Sequence, residues 1–160
     1  MAGSARTLVT KATISLGSRP WFLAAMKKKV PFDRAVYRLT RGRVNVMMGS
    51  GCTGLLLTTT GRRTGRPRSV PLLYIADGGR YYVTGSNWGG PRHPEWSANL
   101  LADPEAVASI KGRRVSVTAR LLEAEERERI WSNLAAVWPN YDRNAALGTR
   151  VPRVFALTPR

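Results

Sequence analysis

The chain has 160 residues, 43% of them hydrophobic, and carries 26 Lys/Arg against 10 Asp/Glu for a net charge of +16. That length suits one domain with its own core, burying about two-thirds of its unfolded surface. One cysteine excludes a disulfide framework and a cysteine zinc site, and no apolar run approaches the roughly 20 residues that span a bilayer.

The charge is uneven. Residues 1–50 hold ten Lys/Arg against the single acid Asp33, residues 51–120 ten against four, and residues 121–160 six against five. Such an excess attracts phosphate, anionic lipid or acidic ligands but says nothing about fold. The start of the chain shows no leader pattern. With Cys52 as the sole thiol, a reducing compartment, the cytoplasm, is expected.

Residues 1–45 read as a basic N-terminal arm with short helices, ahead of a domain at 46–160. Pro20 opens a helix through Trp21-Phe22-Leu23-Ala24-Ala25-Met26-Lys27-Lys28-Lys29-Val30, with its lysines at the C-terminal end where the dipole favours cations. Asp33 caps a second short helix over 34–41. The arm admits two readings. One is a peripheral contact with the inner face of the membrane, since a basic amphipathic helix attracts anionic headgroups. The other is a helix packed on the domain with a solvated basic face.

Gly49-Ser50-Gly51-Cys52-Thr53-Gly54 matches G-x-G-x-x-G by letter. It is not a dinucleotide fingerprint, because that motif follows a strand and opens a helix, whereas this one leads into a strand. Cys52 there reads as a small buried hydrophobe.

The strand at 53–60 ends in a basic turn, Gly61-Arg62-Arg63-Thr64-Gly65-Arg66-Pro67-Arg68. A second strand at 68–76 contains Pro71, which confines it to an edge, a strand start or a bulge. Asp77-Gly78-Gly79 signals a hairpin, and 80–86 forms the third strand. Ser86-Asn87-Trp88-Gly89-Gly90 is a second donor-rich turn. A helix follows at 95–101, with Pro94 at its first turn. Strands are expected at 106–110 and 115–122, a helix at 123–138 with a Glu125–Arg129 pair, and a last strand at 151–157. The sum is α+β, a barrel-like antiparallel domain with five or six strands and two or three peripheral helices.

Four arginines on a Gly-rich turn can hold a phosphate or carboxylate bidentately, with backbone N–H groups forming a nest. A solvated basic hairpin is the plainer alternative. His93 is the only histidine and reads as structural or exposed rather than as a proton-transfer group. No metal site is expected, since no second histidine, cysteine pair or carboxylate cluster is present. No nucleic-acid module is legible, so specific nucleic-acid binding is not expected. An anion trap without acid–base machinery points to a cofactor that carries the chemistry.

The run Thr58-Thr59-Thr60-Gly61-Arg62-Arg63-Thr64-Gly65-Arg66-Pro67-Arg68, followed by Ser86 to Pro94 and by Trp96, Asn99-Leu100-Leu101-Ala102-Asp103-Pro104, resembles the deazaflavin-dependent nitroreductase family. The resemblance covers roughly residues 52–155. It implies a split antiparallel β-barrel of the FMN-binding type that holds coenzyme F420, a flavin-like ring with a ribityl phosphate and a lactyl-oligoglutamate tail. By that resemblance Arg63 and Arg68 contact the phosphate region, Thr64 and Pro67 shape that loop, and Arg62 is a further cofactor-binding residue on it. Ser86, Asn87, Trp88 and Gly89 form the second binding turn, supported by Trp96 and Asn99. Trp138 and Tyr141 are the candidate substrate-pocket residues. Hydride passes from the reduced coenzyme to a quinone, activated alkene or nitroaromatic. Asn87-Trp88, where the family often has Lys-Gly, and Asn144, where a further aromatic is expected, bear on the acceptor. A non-catalytic binder of deazaflavin, haem or lipid on the same barrel is the alternative, and both monomer and homodimer stay open.

Overall fold

The computed structural model describes residues 54–147 and 150–160. The expected arm and its helices, the glycine run and Cys52 lie outside the described residues.

Six antiparallel strands close into a barrel in the order β1-β2-β3-β6-β5-β4. They are β1 (Gly54–Thr60), β2 (Pro67–Asp77), β3 (Arg80–Gly85), β4 (Glu105–Ile110), β5 (Arg113–Leu121) and β6 (Arg153–Pro159). Three helices accompany them: α1 (Glu95–Ala102), α2 (Ala124–Val137) and α3 (Asn140–Leu147). The expected α+β barrel is therefore present, with six strands and three α-helices among the described residues.

Period-2 alternation sets the inside of the barrel. Leu55, Leu57 and Thr59 of β1 face inward with Ala106 and Ala108 of β4 and Val117 and Ala119 of β5, all buried. Helix α1 adds Trp96 and Leu100 to this interior cluster, and Trp96 meets the ring of Phe155 at 5.7 Å. Each large aliphatic side chain so buried stabilises the fold by about 1.5–3 kcal/mol.

A second core lies outside the barrel. Leu73 and Ile75 of β2, Tyr82 of β3, and Val154 and Ala156 of β6 pack against Ile130 and Leu134 of α2. Strand β6 is thus buried on both faces, which explains its unbroken apolar run from Val154 to Leu157.

The turns obey their residue chemistry. Gly78 and Gly79 take φ of 54° and 74° between the paired Asp77 and Arg80, the primed geometry that suits strand twist. Pro71 lies where β2 pairs with β1, before its pairing with β3 begins at Tyr74. The missing N–H is tolerated in that half-edge.

Two local expectations are corrected. Pro139 ends α2, but a further helix, α3, follows at once and carries Tyr141. Glu126, rather than Glu125, forms the ion pair: it accepts from Arg120 of β5 at 2.7 and 2.9 Å, and no Glu125–Arg129 pair forms among the described residues. Contact across to the sheet has replaced contact along the helix.

Candidate functional site

The basic turn is a closed six-residue loop. Gly61 N–H donates to the Arg66 carbonyl at 2.9 Å, while the Gly61 carbonyl accepts from Thr64 N and Gly65 N at 3.0 and 2.7 Å. A Cβ on Gly61 would stand 3.0 Å from the Arg66 carbonyl oxygen, and Gly65 has φ of 64°. Both glycines are thus set by the loop's geometry.

Asn99 of α1 fastens this loop to the helix. It is buried at 4% exposure. Its Oδ1 accepts from the Arg62 backbone N–H at 3.1 Å, and its Nδ2 donates to Thr59 Oγ1 at 3.1 Å. The Arg62 guanidinium turns toward the same helix and pairs with Glu95 at 2.5 Å. That pairing, with Arg63 and Arg92 nearby, holds the Glu95 carboxyl below its ordinary value.

The remaining arginines stay available. Arg63 is largely exposed and comes only to 4.0 Å of Glu95. Arg66 and Arg68 form no ion pair among the described residues.

The second turn leaves β3 through Gly85. A Cβ there would crowd the Pro94 ring at 3.2 Å, so glycine lets the start of α1 approach the strand end. Asn87 takes φ of 47° and Gly89 φ of 74°, a left-handed step that asparagine tolerates better than most residues. Asn87 Nδ2 donates to the Arg92 carbonyl at 2.8 Å, closing the turn across itself. Pro94 caps α1, its carbonyl accepting from Ser97 N and Oγ at 3.0 and 2.8 Å.

Between the two turns lies a cleft of about 550 Å³. Arg62, Arg63, Thr64 and Arg68 line it from the first loop, Asn87 and His93 from the second, and Trp96 and Asn99 from α1. Two loops that the sequence separates by some twenty residues therefore bound one space. Pro67 starts β2 opposite Thr60, outside the lining; Ser86 and Gly89 act through their backbones, joined by a 3.1 Å hydrogen bond.

Trp138 and Tyr141 are not brought to this cleft. They are 5% and 6% exposed and belong to the outer core that α2 forms on β2, β3 and β6, while α3 itself packs on α2 and against the second turn. Among the described residues no group of His, Cys, Asp or Glu could hold a metal ion.

A sequence model described as F420H(2)-dependent quinone reductase matches residues 31–159. The chain belongs to this family. It is 35% identical over 113 residues to an F420H(2)-dependent quinone reductase of Mycobacterium tuberculosis, covering 67% of this chain and 76% of the relative. Among solved structures it is similar to an F420-H2-dependent reductase, FDR-A, with a TM-score of 0.61 and 34% identity over 66% of this chain and 93% of that one. It is also similar to a chain described as a domain-swapped dimer, with a TM-score of 0.63 and 30% identity over 78% and 94%.

The cleft of this family member fits F420 on its own chemistry. The cofactor brings a phosphate and several carboxylates, and the cleft offers Arg68 without an ion pair among the described residues and Arg63 at the edge of a Glu95 taken up by Arg62. The cofactor brings a flat ring, and the cleft has Val70, Pro94 and Trp96 in its lining. Its volume falls within the roughly 300–1,000 Å³ usual for such sites.

Sequence reasoning missed Arg150. It lies just before β6 and bonds to the second turn. No local sequence signal marks it: the pairing of β3 with β6, which sets Gly85 opposite Arg153, brings the approach to β6 beside the turn.

Proposed function

We propose that this chain is an F420H2-dependent oxidoreductase that passes a hydride to a quinone acceptor, with the cofactor held in the cleft between the two turns. The observation that carries the placement is the pair Arg63 and Arg68, exposed on one cleft: Arg68 forms no ion pair among the described residues, and Arg63 reaches only 4.0 Å from a Glu95 that Arg62 already holds. Reduced F420 supplies the hydride when bound. The chain supplies position.

Arg63 and Arg68 hold the phosphate end, since guanidinium groups match phosphate bidentately. Arg62 is assigned to the loop itself, because Glu95 and Asn99 already engage it. Asn87 and the backbone of Ser86 to Gly89 would border the ring end, with Trp96 supplying apolar surface in the lining. Fixing the ring against an acceptor makes the transfer effectively unimolecular, which is the contribution such a site makes without acid–base groups.

The test is a fluorescence titration of F420 with wild type and with the double variant Arg63→Ala, Arg68→Ala. Losing two charge-assisted contacts should weaken binding about a hundredfold or more. Steady-state oxidation of reduced F420 with menadione should then fall in parallel at subsaturating cofactor. Unchanged affinity in the double variant places the phosphate elsewhere.

Two further parts of the reading concern assembly. A homodimer is proposed from the similarity to the domain-swapped chain, and light scattering at graded concentrations checks it. Contact of the basic arm with an anionic membrane surface, where lipophilic quinones reside, is proposed from Trp21-Phe22-Leu23 followed by Lys27-Lys28-Lys29. Deleting residues 1–30 should abolish cosedimentation with anionic vesicles; persistence without them contradicts that contact.

A further inference from the structure

Arg150 binds four acceptors in the connection from β3 to α1. Its Nη1 donates to the Gly85 carbonyl at 3.2 Å and meets His93 Nδ1 at 2.9 Å. Its Nη2 donates to the Ser86 carbonyl at 3.0 Å, and its Nε to the Gly90 carbonyl at 3.2 Å. Four of the five guanidinium N–H groups are thereby used. None of these partners is a carboxylate, and Arg150 has no ion pair among the described residues.

A guanidinium in a protein neither loses its proton nor accepts a hydrogen bond. In the contact with Arg150, His93 Nδ1 must therefore be the acceptor. That fixes the ring as neutral imidazole with its proton on Nε2. The surroundings agree. Burial, Arg150 and Arg153 of β6 all push His93 below the ordinary imidazole value. Arg62, Arg63 and Arg68 of the first loop line the same cleft, and Glu95 of α1, the one acid in its lining, is taken up by Arg62.

His93 lines the cleft with Arg63 and Arg68. With Nδ1 occupied, Nε2–H is the ring's one remaining polar group. We infer that His93 is a neutral hydrogen-bond donor to the bound cofactor from the side of the second turn, and that Arg150 is the positioning residue that fixes its tautomer. The inference rests on the cofactor reading above. It also assigns His93 away from proton transfer: its lone pair is occupied, and a neutral imidazole surrenders its N–H only far above working pH, whereas acid–base groups need values near it.

Because the chain has a single histidine, its ring nitrogens can be followed without ambiguity. The experiment is a pH titration of the ¹⁵N-labelled full chain by long-range ¹H–¹⁵N correlation, in wild type, Arg150→Met and Arg150→Lys. The expected result is an Nε2–H tautomer at neutral pH, with a titration midpoint that rises in both variants and most in Arg150→Met. An Nδ1–H tautomer, or a midpoint indifferent to both variants, overturns the role of Arg150.

The ligand contact is read separately by F420 titration. His93→Ala should bind about tenfold more weakly, the factor expected of one good hydrogen bond. His93→Gln, whose amide keeps a donor near the Nε2 position, should recover most of that loss. The pH profile of kcat should keep its shape in both. Unchanged affinity in His93→Ala, or a profile flattened by it, refutes the donor role. Failure of the wild type to bind F420 refutes the cofactor reading, and the donor role with it, while the tautomer and its dependence on Arg150 are decided without any ligand.

Discussion

Replacing Asn99 with alanine should test what joins the barrel to the basic loop. Asn99 is 4% exposed, and Thr59, its partner, is 2% exposed. The substitution removes the acceptor of Arg62 N–H, bound at 3.1 Å, and the donor to Thr59 Oγ1, also at 3.1 Å. A buried polar group left unpaired costs about 1–3 kcal/mol. The Thr59 hydroxyl keeps the Arg68 carbonyl at 3.5 Å and so recovers part of its share. A net loss of about 2–4 kcal/mol follows, which lowers Tm by roughly 5–15 °C in a chain of this length. Urea unfolding followed by tryptophan fluorescence measures it, since Trp96 stands three residues away on the same helix. The refutation lies in a double-mutant cycle with Thr59→Val. If the bond is what matters, the two single losses overlap and the coupling is about 1 kcal/mol or more. Strictly additive losses, or a single-variant loss below about 0.5 kcal/mol, mean that Asn99 is not the fastening.

Other perturbations follow from the same geometry. Glu95→Gln frees the Arg62 guanidinium, so F420 should bind a few-fold tighter at low ionic strength, and the gain should disappear in high salt. The carboxyl of Glu95 is depressed in the folded chain, so its pairing with Arg62 is present above the ordinary carboxylate value and is lost as pH falls through the depressed one; the stability difference between wild type and Glu95→Gln should shrink on acidification over that window. Gly61→Ala brings a Cβ to 3.0 Å from the Arg66 carbonyl and should cost about 1–3 kcal/mol as overpacking, seen in urea melts. Raising salt should weaken F420 binding in wild type more steeply than in Arg63→Ala, Arg68→Ala, because the screened charges are then already absent.

Much of the fold is legible in local chemistry. Asp77-Gly78-Gly79 demands a tight hairpin, and the alternation of Val115, Val117 and Ala119 with Ser116, Thr118 and Arg120 demands a half-buried strand. The basic turn reads as a candidate anion site because its glycines and arginines lie within a few residues of one another. Long-range pairings left no such trace. Nothing near Arg150 in the sequence points to His93, fifty-seven residues earlier; only the β3–β6 ladder joins them. Trp138 and Tyr141 show the converse. Their aromatic character is equally suited to a pocket wall and to a packed core, and the outer face of β2, β3 and β6 had to be covered by something apolar. Helix α3 escaped notice because Pro139 is a stop signal that here merely separates two helices.

Helix α1 touches both turns at once, through Pro94 against Gly85 and through Asn99 against the Gly61–Arg66 loop. Five residues of helix, about 7.5 Å of rise, separate these anchors. The short helix is thus a caliper. It sets the distance from the arginines to the second turn, and with it the span that a ligand touching both must match. One residue inserted between Pro94 and Asn99 would open the jaws by about 1.5 Å and swing one of them by about 100°.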